Sequence, residues 1–172
     1  MAGAARIAAA AVVLAGLAMP ALGGEACDGS LQGSRLQSVP DPLTVTVEYP
    51  RKTAKAMAAA ASFSDGVKAA GVSVVPDGTT TLRLTFLVTA ATGAVPVQQF
   101  SDFSWAETTA SADEPPPTLT VTVGLLSHGL ATLLWVASVE CKVKTRDANL
   151  LARELGQVVG ESLGQDVSQK TF

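Results

Sequence analysis

Short runs of this chain alternate apolar and polar residues with a period of two. In LTVTVEY, Leu43, Val45, Val47 and Tyr49 fall on one side and Thr44, Thr46 and Glu48 on the other. Successive side chains of a strand point to opposite faces, so this pattern marks a strand with one buried face. Leu82, Leu84, Phe86 and Val88 alternate with Arg83, Thr85, Leu87 and Thr89 in the same way. Residues 118–126 and 131–144 form two more such runs. Leu119, Val121, Val123 and Leu125 share a face in the first; Leu133, Trp135, Ala137, Val139, Cys141 and Val143 share one in the second. A weaker strand is expected within 95–105, where Phe103 and Trp105 share a face. A sheet patterned like this needs cover on one side only.

Two stretches repeat at the helical period instead. Ala56, Ala60, Phe63, Val67 and Ala70 line one face of a helix that starts near Arg51 and stops at Gly71. The second helix is capped by Thr145 or Asp147 and carries the stripe Ala148, Leu151, Ala152, Leu155, Val158, Val159 and Leu163. Gly156, Gly160 and Gly164 recur on an adjoining face. That glycine stripe is read as a weak spot tolerated on a solvated face; the alternative is close packing against the first helix or a partner. Gly66 counts as a mild weakness of the first helix, about 1 kcal/mol against Ala.

The expected fold is α+β: a two-layer sandwich of four to five mostly antiparallel strands with two helices packed on one face. Whether the first strand and helix form a parallel crossover is left open by the pattern. The expected organisation is a signal peptide at 1–23, an extended lead-in at 24–42, a single α+β domain at 43–166 and a tail at 167–172.

The N-terminus supports export. Arg6 gives a positive start, Ile7 to Met19 is apolar, and Ala21 and Gly23 are the small residues that a signal peptidase reads. The apolar stretch is short beside the roughly 20 residues that span a bilayer. Cleavage after Gly23 is expected, with an uncleaved anchor as the alternative. A lipid anchor is not expected at Cys27, because Gly24, Glu25 and Ala26 supply a charge and no aliphatic residue ahead of it. In an oxidising compartment, Cys27 and Cys141 are expected to form a disulfide.

Charge and motifs exclude several function classes. The net charge is −3 with no basic block, which argues against nucleic-acid binding. No basic amphipathic helix offers itself to an anionic membrane. Two cysteines and a lone histidine do not make a zinc site. No acid cluster suggests another metal, and no Gly-rich loop a phosphate, so no cofactor is expected. Ser127-His128-Gly129 has Gly two residues after the serine, but Leu125 two before it, and a strand follows. A nucleophile elbow needs both glycines and a helix. The triplet is read as a hairpin loop with Gly129 in the left-handed region and His128 facing solvent.

Glu48 and Glu140 lie on outward strand positions. They could meet across the sheet as a carboxylate pair, or pair with Arg83 or Lys142. Phe100, Asp102, Phe103 and Trp105 form the candidate partner- or ligand-binding site, an aromatic cluster beside an acidic loop. The expected function is a non-enzymatic periplasmic or secreted binding or accessory domain of the bacterial envelope. Its partner would be another envelope protein or a small ligand, with no membrane span left after cleavage. The alternatives are a small carboxylate-dependent hydrolase and an assembly component held by an uncleaved N-terminal segment.

Overall fold

The computed structural model describes residues 24–49, 53–89, 118–129 and 132–172. Its elements are β1 (Cys27–Arg35), β2 (Thr44–Glu48), α1 (Ala54–Ala69), β3 (Ser73–Val74), β4 (Thr80–Thr89), β5 (Thr118–Ser127), β6 (Leu133–Val143), α2 (Ala148–Ser162) and β7 (Val167–Thr171). The strands form one mixed sheet in the order β3-β2-β4-β5-β6-β1-β7. The α+β class stands, with seven strands among the described residues rather than four to five. The weaker strand expected within 95–105 lies outside the described residues.

Strands β4, β5, β6 and β1 pair antiparallel in long ladders. Leu82 faces Leu125, Val123 faces Ala137, and Leu31 faces Val139, so these apolar positions share one side of the sheet. β2 runs parallel to both β3 and β4. The chain therefore leaves β2, crosses through α1 to β3, and passes at Pro76-Asp77 to the other flank of β2, where β4 runs in the same direction. This parallel crossover is the connection that the sequence pattern left open.

The added strands were hidden for a physical reason. Of the β1 positions in phase with Cys27, only Cys27 and Leu31 carry apolar side chains; Gly29, Gly33 and the exposed Arg35 occupy the others. Glycine leaves no period-two signal. A Cβ built on Gly33 would stand 3.0 Å from Trp135 Cζ2, so the indole covers the bare strand. β1 falls within the expected lead-in, and β7 within the expected tail. In β7 the register against β1 shifts between Leu31 and Gly33. A bulge of this kind breaks strict alternation along the strand.

Buried side chains from both helices and the inward sheet face form one apolar cluster. Phe63 and Val67 of α1 and Leu151, Leu155 and Val159 of α2 meet Leu31, Val45, Leu82, Leu119, Leu125 and Val139 there. Thr53 caps α1 by accepting from the Ala56 N–H at 3.2 Å, and Asp147 caps α2 by accepting from Asn149 and Leu150.

The glycine stripe of α2 is not a solvated face. Gly156 and Gly160 are buried against α1. A Cβ on Gly156 would stand 2.9 Å from the Phe63 carbonyl carbon; on Gly160 it would stand 2.7 Å from Ala70 Cβ. From the other side, a Cβ on Gly66 would meet the Gln157 nitrogen at 2.7 Å and collide with the Arg153 carbonyl oxygen. Three glycines thus let the two helix backbones approach without side chains between them. Gly164 does something else: with φ +73°, it turns the chain out of α2 toward β7.

Cys27 and Cys141 are joined in a disulfide between β1 and β6, with their α-carbons 5.6 Å apart and a sequence separation of 114. Both are buried, as expected of a structural bridge. The β5–β6 hairpin closes where Ser127 N–H donates to the Thr132 carbonyl at 2.9 Å. Gly129 has φ +74° and His128 is exposed, in keeping with the expected turn. One face assignment changes. The register passes from Leu125 opposite Trp135 to Leu126 opposite Leu133, so Leu134 is an extra residue. Leu134 is buried and Leu133 turns outward, against the expectation that Leu133 shares the Trp135 face.

Candidate functional site

The face of the sheet opposite the apolar cluster carries short polar side chains in rows. Thr85 of β4, Thr122 of β5, Ser138 of β6 and Gln32 of β1 stand opposite one another across four strands. The next row is Arg83, Gly124, Val136 and Ser34. Arg83 extends that row to Glu48 of β2, its Nε donating to Glu48 Oε2 at 2.8 Å.

A groove of about 370 Å³ lies across these rows where β1, β5, β6 and β7 run side by side. Gln32, Ser34, Thr122, Val136, Ser138 and Ser168 line it. Its size falls within the range of small-ligand pockets. Hydroxyl and amide groups both donate and accept hydrogen bonds. None of the lining residues is an acid, a base or a cysteine. The groove can therefore fix a neutral, hydrogen-bonding group, and it has no side chain that would move a proton near neutral pH or activate a hydroxyl as a nucleophile.

The sequence did not point to this groove. Its residues look like the ordinary solvated face of four separate strands, and two of those strands, β1 and β7, were not expected at all. Only the strand order β5-β6-β1-β7 brings them together. The signal that was present, Thr or Ser at every second position, was weak because a solvated strand face needs nothing more.

The residues singled out from sequence fare differently. Phe100, Asp102, Phe103 and Trp105 lie outside the described residues. Glu48 and Glu140 are not brought together: they stand on β2 and β6, with β4 and β5 between them, in different cross-strand rows. Three strand spacings amount to about 14 Å, beyond the roughly 10 Å that a water-bridged carboxylate pair spans. Ser127 Oγ accepts from the Thr132 N–H at 3.3 Å, while the His128 N–H donates to the Thr79 carbonyl. These contacts tie the turn down. Among the described residues, no three His, Cys, Asp or Glu side chains gather as a metal site. No helix among them is long and apolar enough to cross a membrane.

No protein-family model matches the chain, and comparison with curated proteins finds no sequence match. Similar folds exist among solved structures. A PDZ domain protein from Parabacteroides distasonis aligns with a TM-score of 0.50 at 8% identity, over 86% of this chain and 39% of that one. The PelC dodecamer from Paraburkholderia phytofirmans aligns with a TM-score of 0.49 at 14% identity, over 81% of this chain and 99% of that one. At such identities the likeness concerns fold alone, and the function must be argued from the site.

Proposed function

We propose that this protein is an exported, non-enzymatic binding or accessory domain of the bacterial envelope, periplasmic or secreted, that engages its ligand or partner through the polar face of its sheet. The observation that carries this reading is the groove over Gln32, Ser34, Thr122, Val136, Ser138 and Ser168, rich in hydrogen-bonding groups and without a titratable side chain. The buried Cys27–Cys141 disulfide supports the export half, because such bonds persist in oxidising compartments. The shared apolar cluster supports a two-layer arrangement, with both helices over one face.

Crosslinking and pull-down from native envelope test the reading. The bait is compared with a Thr122→Arg, Ser138→Arg double variant, whose bulky cations obstruct the groove, and with Asp65→Asn on the exposed surface of α1 as control. Capture of the same species by wild type and control, and its loss with the groove variant, is expected. Equal capture by all three overturns the assignment of the sheet face. Turnover on a cell-wall and ester panel that Glu48→Gln abolishes would overturn the non-enzymatic part.

A further inference from the structure

The segment that follows the expected cleavage point is held from two sides. Ala26 N–H donates to Glu154 Oε2 of α2 at 2.9 Å, and the Ala26 carbonyl accepts from Lys144 N–H at 2.8 Å. Lys144 Nζ reaches the Gly24 carbonyl at 3.4 Å and pairs with Asp28. Cys27 is then locked to Cys141. Residues 24–28 are thus tied to α2 and to the end of β6 together.

Within this arrangement one polar atom has no partner. Glu154 Oε1 is buried and accepts no hydrogen bond among the described residues, although Oε2 of the same carboxylate is satisfied. A buried carboxylate oxygen left unpaired is costly, and structures rarely keep one without a reason. The group beside it is Gly24: a Cβ built there would collide with Glu154 Oε1 and with the Cys27 carbonyl oxygen. No residue other than glycine fits at position 24, and its nitrogen is one bond from the α-carbon that Glu154 faces.

We propose that Glu154 Oε1 is the acceptor for the α-ammonium group of Gly24, which exists only after the chain is cut between Gly23 and Gly24. An endopeptidase adds water across that amide: the C–N bond breaks, hydroxyl goes to the Gly23 carbonyl carbon, and the Gly24 nitrogen takes the proton. The precursor offers Glu154 one neutral N–H at that nitrogen. The product amine, protonated at neutral pH with an ordinary pKa of about 7.7–8.0, offers three donors and a positive charge. Processing thereby completes a charge-assisted hydrogen bond, of the kind worth more than a neutral one, at the point where β1 begins. The inference rests on the export reading, with its expected cut after Gly23, and deepens it by giving the new terminus a structural role.

Two measurements test it. Intact mass of the native protein is expected to correspond to a chain beginning at Gly24. A native chain that keeps residues 1–23 overturns the export reading itself. A chain cut at another bond leaves export standing and overturns this inference. The second measurement is a cycle of four proteins: chains starting at Gly24 or carrying a short neutral tag ahead of it, each with Glu154 or Glu154→Gln. With Glu154, the tag is expected to lower the folding constant roughly tenfold, equivalent to about 1.4 kcal/mol. With Gln at 154 it is expected to change it less than about twofold. Equal effects in the two backgrounds mean that Glu154 serves Ala26 alone, and the inference falls. Should the Gln variants not fold, acylation of the Gly24 amine in the wild type decides: slower labelling in the native than in the denatured chain is expected, and equal rates overturn the proposal.

Discussion

Gly156 of α2 rests against the main chain of Phe63 in α1, with space for no side-chain carbon between them. Alanine is the better helix former, by about 1 kcal/mol over glycine in an exposed helix. Here the sign reverses, because a Cβ would have to displace a backbone carbonyl rather than a flexible side chain. Gly156→Ala is expected to destabilise the protein by about 1–3 kcal/mol, the usual cost of overpacking. Gly66→Ala is expected to do the same from the other helix. Urea denaturation checks both, and a raised midpoint for either variant would contradict the close crossing.

The disulfide closes a loop of more than a hundred residues between β1 and β6. Loop entropy assigns such a bridge roughly 4–5 kcal/mol. Cys27→Ser with Cys141→Ser, or reduction, is expected to remove most of that, as read from denaturation with and without a thiol reductant. Because Cys27 opens β1, hydrogen exchange is expected to rise first in β1 and in β7 beyond it.

Glu161 at the end of α2 accepts from Lys170 Nζ of β7 at 2.6 Å and from Gln157 at 3.0 Å. The Lys170 hydrogen bond is the main cause that holds the Glu161 carboxyl below its ordinary value, against the opposing effect of partial burial. Its folded pKa therefore lies below its unfolded one. The stability it contributes is fully present above the unfolded value, about 4.3, and is lost as pH falls through the folded value. Both groups are more than a third exposed, so the contribution is about 0.2–1 kcal/mol after screening. Lys170→Met is expected to flatten the stability profile in that acid window and leave its slope near pH 7 unchanged. An unaltered acid limb would remove the pair from the account.

Trp135 is fully buried, and its Nε1–H donates to the Gln165 carbonyl at 2.8 Å. This bond ties β6 to the segment between α2 and β7, while the ring lies over Gly33. Trp135→Phe keeps an aromatic ring and loses the donor. It leaves a carbonyl without its partner and part of Gly33 uncovered, for an expected cost of about 1–3 kcal/mol. Thermal unfolding of the variant measures it, and a loss below about 0.5 kcal/mol would mean that water replaces the indole without penalty.

The paired β4–β5–β6 ladder was legible because its strands keep long stretches of alternation, such as Leu119, Val121, Val123 and Leu125 against three threonines. Both helices were legible for the same reason at their own period. β1 was not: its inward glycines are silent until Trp135 is seen lying over one of them. Leu133 was assigned to the wrong face because one extra residue, Leu134, reverses the phase of a strand. The groove was illegible since it is a property of neighbouring strands, and neighbours far apart in sequence are chosen by the fold. Glu154 shows the same limit, since nothing in α2 marks its approach to residues 24–26.

Taken alone, the sequence determined both helices, β2, the β4–β5–β6 ladder and the pairing of Cys27 with Cys141, because the elements follow from residue type and near spacing and the chain has two cysteines only. The tertiary structure alone decided the strand order, the close approach of α1 and α2 at Gly66, Gly156 and Gly160, and the juxtaposition of Gly24 with Glu154. Those are packing relations, set by which surfaces can approach most closely once the apolar faces are buried, and no local period encodes them.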